Sequence, residues 1–129
     1  MPNNSLPVLH RSQRDNADCL AACASMVLTF LGLTVSYERL LTTLGITRFG
    51  APHSRIQRLQ DLFPALNIAH QQGDLPDLFR AVDAGNPPIV YVRTGELPYW
   101  TEDTFHAIVL IGYDETHCTL LDPAMAGQP

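Results

Sequence analysis

Asp18-Cys19-Leu20-Ala21-Ala22-Cys23-Ala24-Ser25-Met26-Val27-Leu28 is the stretch on which the fold turns. Asp is a preferred N-cap residue, and Gly32 stands where a left-handed C-terminal residue is expected, so a helix is predicted over about Cys19 to Leu31 with the Asp18 carboxylate on its first N–H groups. The run is apolar nearly all round, which places the helix at the centre of the molecule. Cys19 then sits in the first turn, where the peptide dipoles supply roughly half a positive charge.

Working outward, Gln13 lies six residues before Cys19, and a loop of that length can fold back to bring its amide beside the sulfur. Far downstream come Phe105-His106-Ala107-Ile108-Val109-Leu110 and Leu120-Leu121-Asp122-Pro123-Ala124, completing the order Gln, Cys, His, Asp. Those four side chains make up a thiol hydrolase: a thiolate nucleophile, an imidazole that takes and returns the proton, a carboxylate that fixes its tautomer, and an amide donor for the oxyanion. A free thiol has a pKa of about 8.5, and a helix N-terminus with a neighbouring imidazolium lowers it by several units. Taken singly, Gln13 also reads as a surface glutamine, His106 as a core histidine and Asp122 as a strand end.

At Gln13, Asp18-Cys19, Ala22-Cys23, His106 and Asp122-Pro123-Ala124 the chain resembles the papain-like peptidases that process bacteriocin leaders. These double-glycine leader peptidases usually stand at the front of export ABC transporters and have free-standing relatives. The resemblance runs from about Gln13 to Ala124. It implies an α+β, papain-like fold in which a helical half carrying the nucleophile helix packs against a small antiparallel sheet. It further implies Cys19 as nucleophile, His106 as general base and acid, Asp122 as the orienting residue and Gln13 as the oxyanion donor. No cofactor is implied. The substrate would be a peptide or protein, cleaved after small residues such as Gly-Gly, and the partner an export transporter. Leu20 follows the cysteine where many members carry glycine.

A chain of 129 residues fits one domain spanning 1–129. The net charge of −5, with eight Lys plus Arg, argues against nucleic acid, which needs clustered cations. Arg48, Arg55 and Arg58 form the one local basic group and read as a solvated helix face. No run approaches the ~20 apolar residues that cross a bilayer, and the amino terminus lacks a signal pattern, so the expectation is a cytoplasmic protein without a membrane span. Three cysteines in that setting read as reduced thiols.

Further helices are predicted over about Tyr37 to Leu44, capped by Ser36 and ended by Gly45, from Pro52–Ser54 to Leu62 or Phe63, and over Leu75 to Ala84 after Asp74. Leu66 to Gln72 alternates weakly as a strand, Ile89-Val90-Tyr91-Val92 reads as another, and Thr94 to Thr104 as a functional loop holding Trp100, which is either core or a cover for the cleft. His106 to Tyr113, a turn at Asp114-Glu115-Thr116 and a return over His117 to Asp122 form a hairpin. Because side chains alternate faces, His106 and Asp122 share a face only when paired positions have an even sum. A three-residue loop pairing Tyr113 with His117 provides that; a two-residue loop does so only with a bulge.

Cys23, His106, His117 and Cys118 hold enough donors to raise zinc, but without a Cys-x-x-Cys pair, and Cys23 and Cys118 read as small core residues. His10, His53, His70 and His117 read as surface or structural. Besides a peptidase, the residues admit a peptide-binding module without turnover and an acyl-transfer enzyme using the same triad.

Overall fold

The alanine-rich run forms α1 (Cys19–Phe30) in the computed structural model of the chain, which describes residues 5–15, 17–48, 50–94, 97 and 105–125. Leu20, Ala21, Ala22, Cys23, Ala24, Met26 and Leu28 are all buried, so α1 is the central helix, as its unbroken apolarity predicts. The helix ends at Phe30 with Leu31 as its C-cap, followed by Gly32 at φ 81°. Helix α2 (Tyr37–Leu44) is capped by the Ser36 hydroxyl on Arg39 N–H and closed by left-handed Gly45; it buries Tyr37, Leu40 and Leu44 against the α1 core.

The third helical segment starts as a 3-10 turn over His53–Arg58 and becomes α-helical only in α3 (Leu59–Leu62). Arg55 is not simply solvated, because its guanidinium donates to the Leu44 and Gly45 carbonyls at the end of α2. Helix α4 (Leu75–Asp83) opens with a reciprocal box, Asp74 accepting from Asp77 N–H and Asp77 from Asp74 N–H.

Three antiparallel strands follow, β1 (Ile89–Arg93), β2 (Phe105–Tyr113) and β3 (Cys118–Leu121), in the order β1-β2-β3. The result is an α+β fold with α1 against β2. Strand β2 is buried continuously from His106 to Gly112, and Ala107, Val109, Ile111 and Leu121 join the cluster built on α1 and α2.

One expectation changes here. Leu66 to Gln72 alternates half-buried and exposed residues as a strand would, yet it enters no ladder. Side chains hold it instead: the Gln60 amide donates to the Pro64 and Leu66 carbonyls, and the His70 ring bonds to His53 and Gln57. Between this segment, α1 and β1 lies an apolar groove of about 1550 Å3. The loop read over Thr94 to Thr104 lies largely outside the described residues, Trp100 included; Thr94 itself is fully buried.

Candidate active site

The hairpin decides where His106 and Asp122 point. At its tip Tyr113 pairs with Cys118 and Gly112 with Thr119, an odd-sum register. The turn is a four-residue Asp114–His117 loop, closed by Asp114 N–H on the His117 carbonyl, in place of the expected three-residue loop. The Asp114 carboxylate accepts from the Thr116 and His117 N–H groups, which holds its pKa low. Between Leu110 and Gly112 the register shifts, leaving Ile111 as the extra residue, and below it Leu110 pairs with Leu120 and Val109 with Leu121. The sum is now even, so the bulge restores the parity the sequence argument requires. The freed Ile111 carbonyl accepts from Leu6 N–H at 2.8 Å, so the N-terminal segment takes up the unpaired group.

His106 Nε2 consequently meets Asp122 Oδ1 at 2.6 Å, with both side chains buried. An ionised carboxylate only accepts, so Nε2 carries the proton and Nδ1 is left for other partners. Burial pushes the imidazole pKa down, but hydrogen bonds to Asp122 and to Cys19, reinforced by their charges, outweigh it and raise the pKa from 6.5 to about 9. His106 thus lies close enough to Cys19 to be influenced by its sulfur, and Cys19 stands half-buried at the mouth of α1. Cys19, His106 and Asp122, far apart in sequence, come together at one place.

Asp122 is fixed from several sides. Its Oδ1 also accepts from Ala124 N–H at 2.9 Å, and its backbone carbonyl accepts from His10 Nε2 at 2.7 Å and from Met125 N–H at 3.1 Å. Gln13 N–H donates to the next carbonyl, Pro123, at 2.9 Å. The segment from Leu6 to Gln13 is therefore strapped along the hairpin base, and His10, which read as surface or structural, is a buttress of Asp122. No local sequence pattern marks it, because its partner is a backbone atom 112 residues away.

Asp18 corrects a prediction. Its carboxylate makes no cap on α1. It turns back toward the preceding loop instead, accepting from Asp15 N–H at 2.8 Å, Arg14 N–H at 3.3 Å and the Tyr37 hydroxyl at 2.6 Å. Burial and the Asp18 carboxylate both push the Tyr37 phenol pKa up. The Tyr37 ring lies under the guanidinium groups of Arg11 and Arg14, and Arg14 pairs with Glu38 at 2.6 Å.

Gln13 joins the hairpin base through its backbone, and its side chain bonds within its own loop. Its Nε2 donates to the Asp15 carbonyl at 2.8 Å, while Oε1 is buried without a partner among the described residues. Rotating the amide would set oxygen against the Asp15 carbonyl, so this orientation is the favourable one. An amide nitrogen carries two protons, and only one is used.

The other thiols differ. Cys23 is fully buried, and burial, with Cys19 and Asp122 nearby, pushes its pKa well up. Cys118 is exposed at the hairpin tip, not a core residue as the sequence suggested: only Tyr113 faces it across the ladder. Residual burial and Asp114 raise its pKa. Tyr91 on β1 is pushed to about 12 by burial and by the charges of Cys19 and Cys23, and its hydroxyl donates to the Ala51 carbonyl.

Comparison with known proteins agrees with this fold. No curated protein matches significantly. Among solved structures, the chain is similar to a protein of Bacillus anthracis provisionally described as a C39-like peptidase, with a TM-score of 0.81 and 18% sequence identity over 98% of this chain and 86% of that one. That likeness establishes the fold. The Peptidase C39-like family matches residues 5–128, nearly the whole chain, and with that match the chain belongs to the Peptidase C39-like family.

Proposed function

We propose that the chain is a cysteine peptidase working through Cys19, His106 and Asp122, with Gln13 as an oxyanion donor. The observation that carries this reading is the buried His106, held by Asp122 at 2.6 Å through one ring nitrogen and standing near Cys19. With its pKa raised to about 9, His106 is an imidazolium at neutral pH, the partner that an attacking thiolate requires.

The thiolate adds to a peptide carbonyl, forming the S–C bond as the carbonyl electrons move to oxygen. The Cys19 backbone N–H and the spare Gln13 amide proton stabilise that oxyanion. As it collapses, the C–N bond breaks and His106 gives its proton to the leaving amine. Water, deprotonated by His106, then attacks the thioester; the acid leaves and the ion pair is restored. Asp122 holds the imidazole orientation throughout and is itself held by His10 and Ala124.

The resemblance to double-glycine leader peptidases favours a peptide substrate cut after small residues, supplied by an export transporter in the cytoplasm. No helix among the described residues is long and apolar enough to cross a membrane. Mass spectrometry of a peptide mixture rich in Gly-Gly and Gly-Ala sites, incubated with wild type and Cys19→Ala, tests the reading. Fragments that depend on Cys19 support it. Joined peptides would make the chain an acyl-transfer enzyme, and intact peptides a binding module.

A further inference from the structure

Tyr37 stands at the start of α2, and its hydroxyl is spent on a carboxylate next to Cys19. The contacts form a continuous series. Tyr37 Oη–H donates to Asp18 Oδ2 at 2.6 Å; Asp18 Oδ1 accepts from Asp15 N–H at 2.8 Å; the Asp15 carbonyl accepts from Gln13 Nε2 at 2.8 Å. Among the described residues the Asp15 carbonyl is the only hydrogen-bond partner of the Gln13 side chain, since Oε1 has none. Where the Asp15 peptide sits thus decides where the amide sits.

We infer that Tyr37, acting through Asp18 and the Asp15 peptide, is a positioning residue for the Gln13 amide. The inference rests on the proposed role of Gln13 as oxyanion donor. A buried carboxylate costs stability unless its lone pairs are filled, and Asp18 is 2% exposed. Without the tyrosine hydroxyl, Oδ2 keeps only the long 3.3 Å bond from Arg14 N–H. The carboxylate must then reorient toward another donor, and the Asp15 N–H, the Asp15 carbonyl and the Gln13 amide shift with it. The unsatisfied Oε1 accords with this, because a buried orphan acceptor persists only where the surroundings hold the group in place. Tyr37→Phe removes the hydroxyl alone and keeps the ring beneath Arg11 and Arg14.

A peptide aldehyde ending in Gly-Gly tests this without turnover. Its carbonyl carbon takes the Cys19 sulfur, the carbonyl electrons move to oxygen, and the imidazolium proton completes a hemithioacetal whose oxygen occupies the oxyanion position. The reading is the aldehyde concentration that half-protects Cys19 from iodoacetamide, in the full chain, for wild type, Gln13→Ala, Tyr37→Phe and the double variant. The alkylation rate without aldehyde and the circular dichroism spectrum confirm that each variant is folded, and Asp18→Asn provides a second break in the same series. Gln13→Ala should weaken protection by up to about 10²–10³-fold, the usual loss for one oxyanion donor. Tyr37→Phe should weaken it by roughly tenfold, within the ~10² that a misplaced group costs. The double variant should be no weaker than Gln13→Ala, and Asp18→Asn should show the same dependence on Gln13. Protection of Tyr37→Phe at the wild-type level, or losses that multiply in the double variant, overturns the inference while leaving the peptidase reading intact. An aldehyde that fails to protect wild-type Cys19, or protects Gln13→Ala equally well, overturns the oxyanion assignment itself, and the Tyr37 inference with it.

Discussion

His106 on β2 and Asp122 just after β3 stand diagonally across a hairpin and meet at 2.6 Å because the bulge at Ile111 converts an odd register at the hairpin tip into an even one at its base. Without that extra residue the tip register would run to the base and turn Asp122 to the other face. A single irregularity between two strands thus sets the buried ion pair on which the proposed chemistry depends.

The pair should be visible in its pH dependence. The folded-state pKa of His106 is raised from 6.5 to about 9, so the folded chain holds the proton more tightly than the unfolded one. The stabilisation is fully present below pH 6.5 and is lost as pH rises through about 9. Urea midpoints should therefore fall across that interval for wild type and change much less for Asp122→Asn, which cannot hold an imidazolium. A strongly downfield Nε2–H proton resonance should accompany the pair and vanish in the same variant.

Thiol reactivity separates the three cysteines in an order that exposure alone does not give. Cys118 is the most exposed, but burial and Asp114 raise its pKa, and Cys23 is sealed in the core. Iodoacetamide at about pH 6 should modify Cys19 first, Cys118 should follow only in alkaline solution, and Cys23 only on unfolding. Peptide mapping that finds Cys118 labelled before Cys19 would deny Cys19 its imidazolium partner.

Gln13→Ala should leave the Cys19 alkylation rate near that of wild type while lowering peptide turnover by roughly 10²–10³, since the amide acts on the oxyanion and not on the thiolate. If both fall together, Gln13 is a structural residue of the loop.

His10→Phe removes the donor from the Asp122 carbonyl and should cost about 1 kcal/mol of stability, the usual net worth of one hydrogen bond, read as a lower urea midpoint. Because Met125 N–H still serves that carbonyl, the chain should remain folded.

Helix α1 carries Ala21, Ala22 and Ala24 at 0%, 0% and 1% exposure. Ala22→Leu should overpack the core by roughly 1–3 kcal/mol, whereas Leu40→Ala on α2 should cost about 2–5 kcal/mol through a cavity. Chemical denaturation of the two variants measures both.

Much of this was legible in the sequence, because the signals are local. The apolarity of α1, the caps at Ser36 and Asp74, the stops at Gly32 and Gly45, and the β-branched run at Ile89 each act within a few residues of where they are read. The order Gln13, Cys19, His106, Asp122 likewise needs no structure to be noticed, and the parity of the hairpin follows from alternation alone. Tertiary structure decided the rest. Local preference allows Leu66 to Gln72 to be a strand, but an edge to pair with is not a local property, and the segment stays outside the sheet. Asp18 has the chemistry of a helix cap, and a carboxylate goes to whichever donors are best placed; the Asp15 N–H and the Tyr37 hydroxyl, brought in by the loop and by α2, outcompete the helix end. Cys118 is exposed because it lies at a hairpin tip, and His10 reaches Asp122 because the N-terminal strap crosses the bulge. Composition and spacing determine which groups the chain owns, while long-range packing determines which donor meets which acceptor.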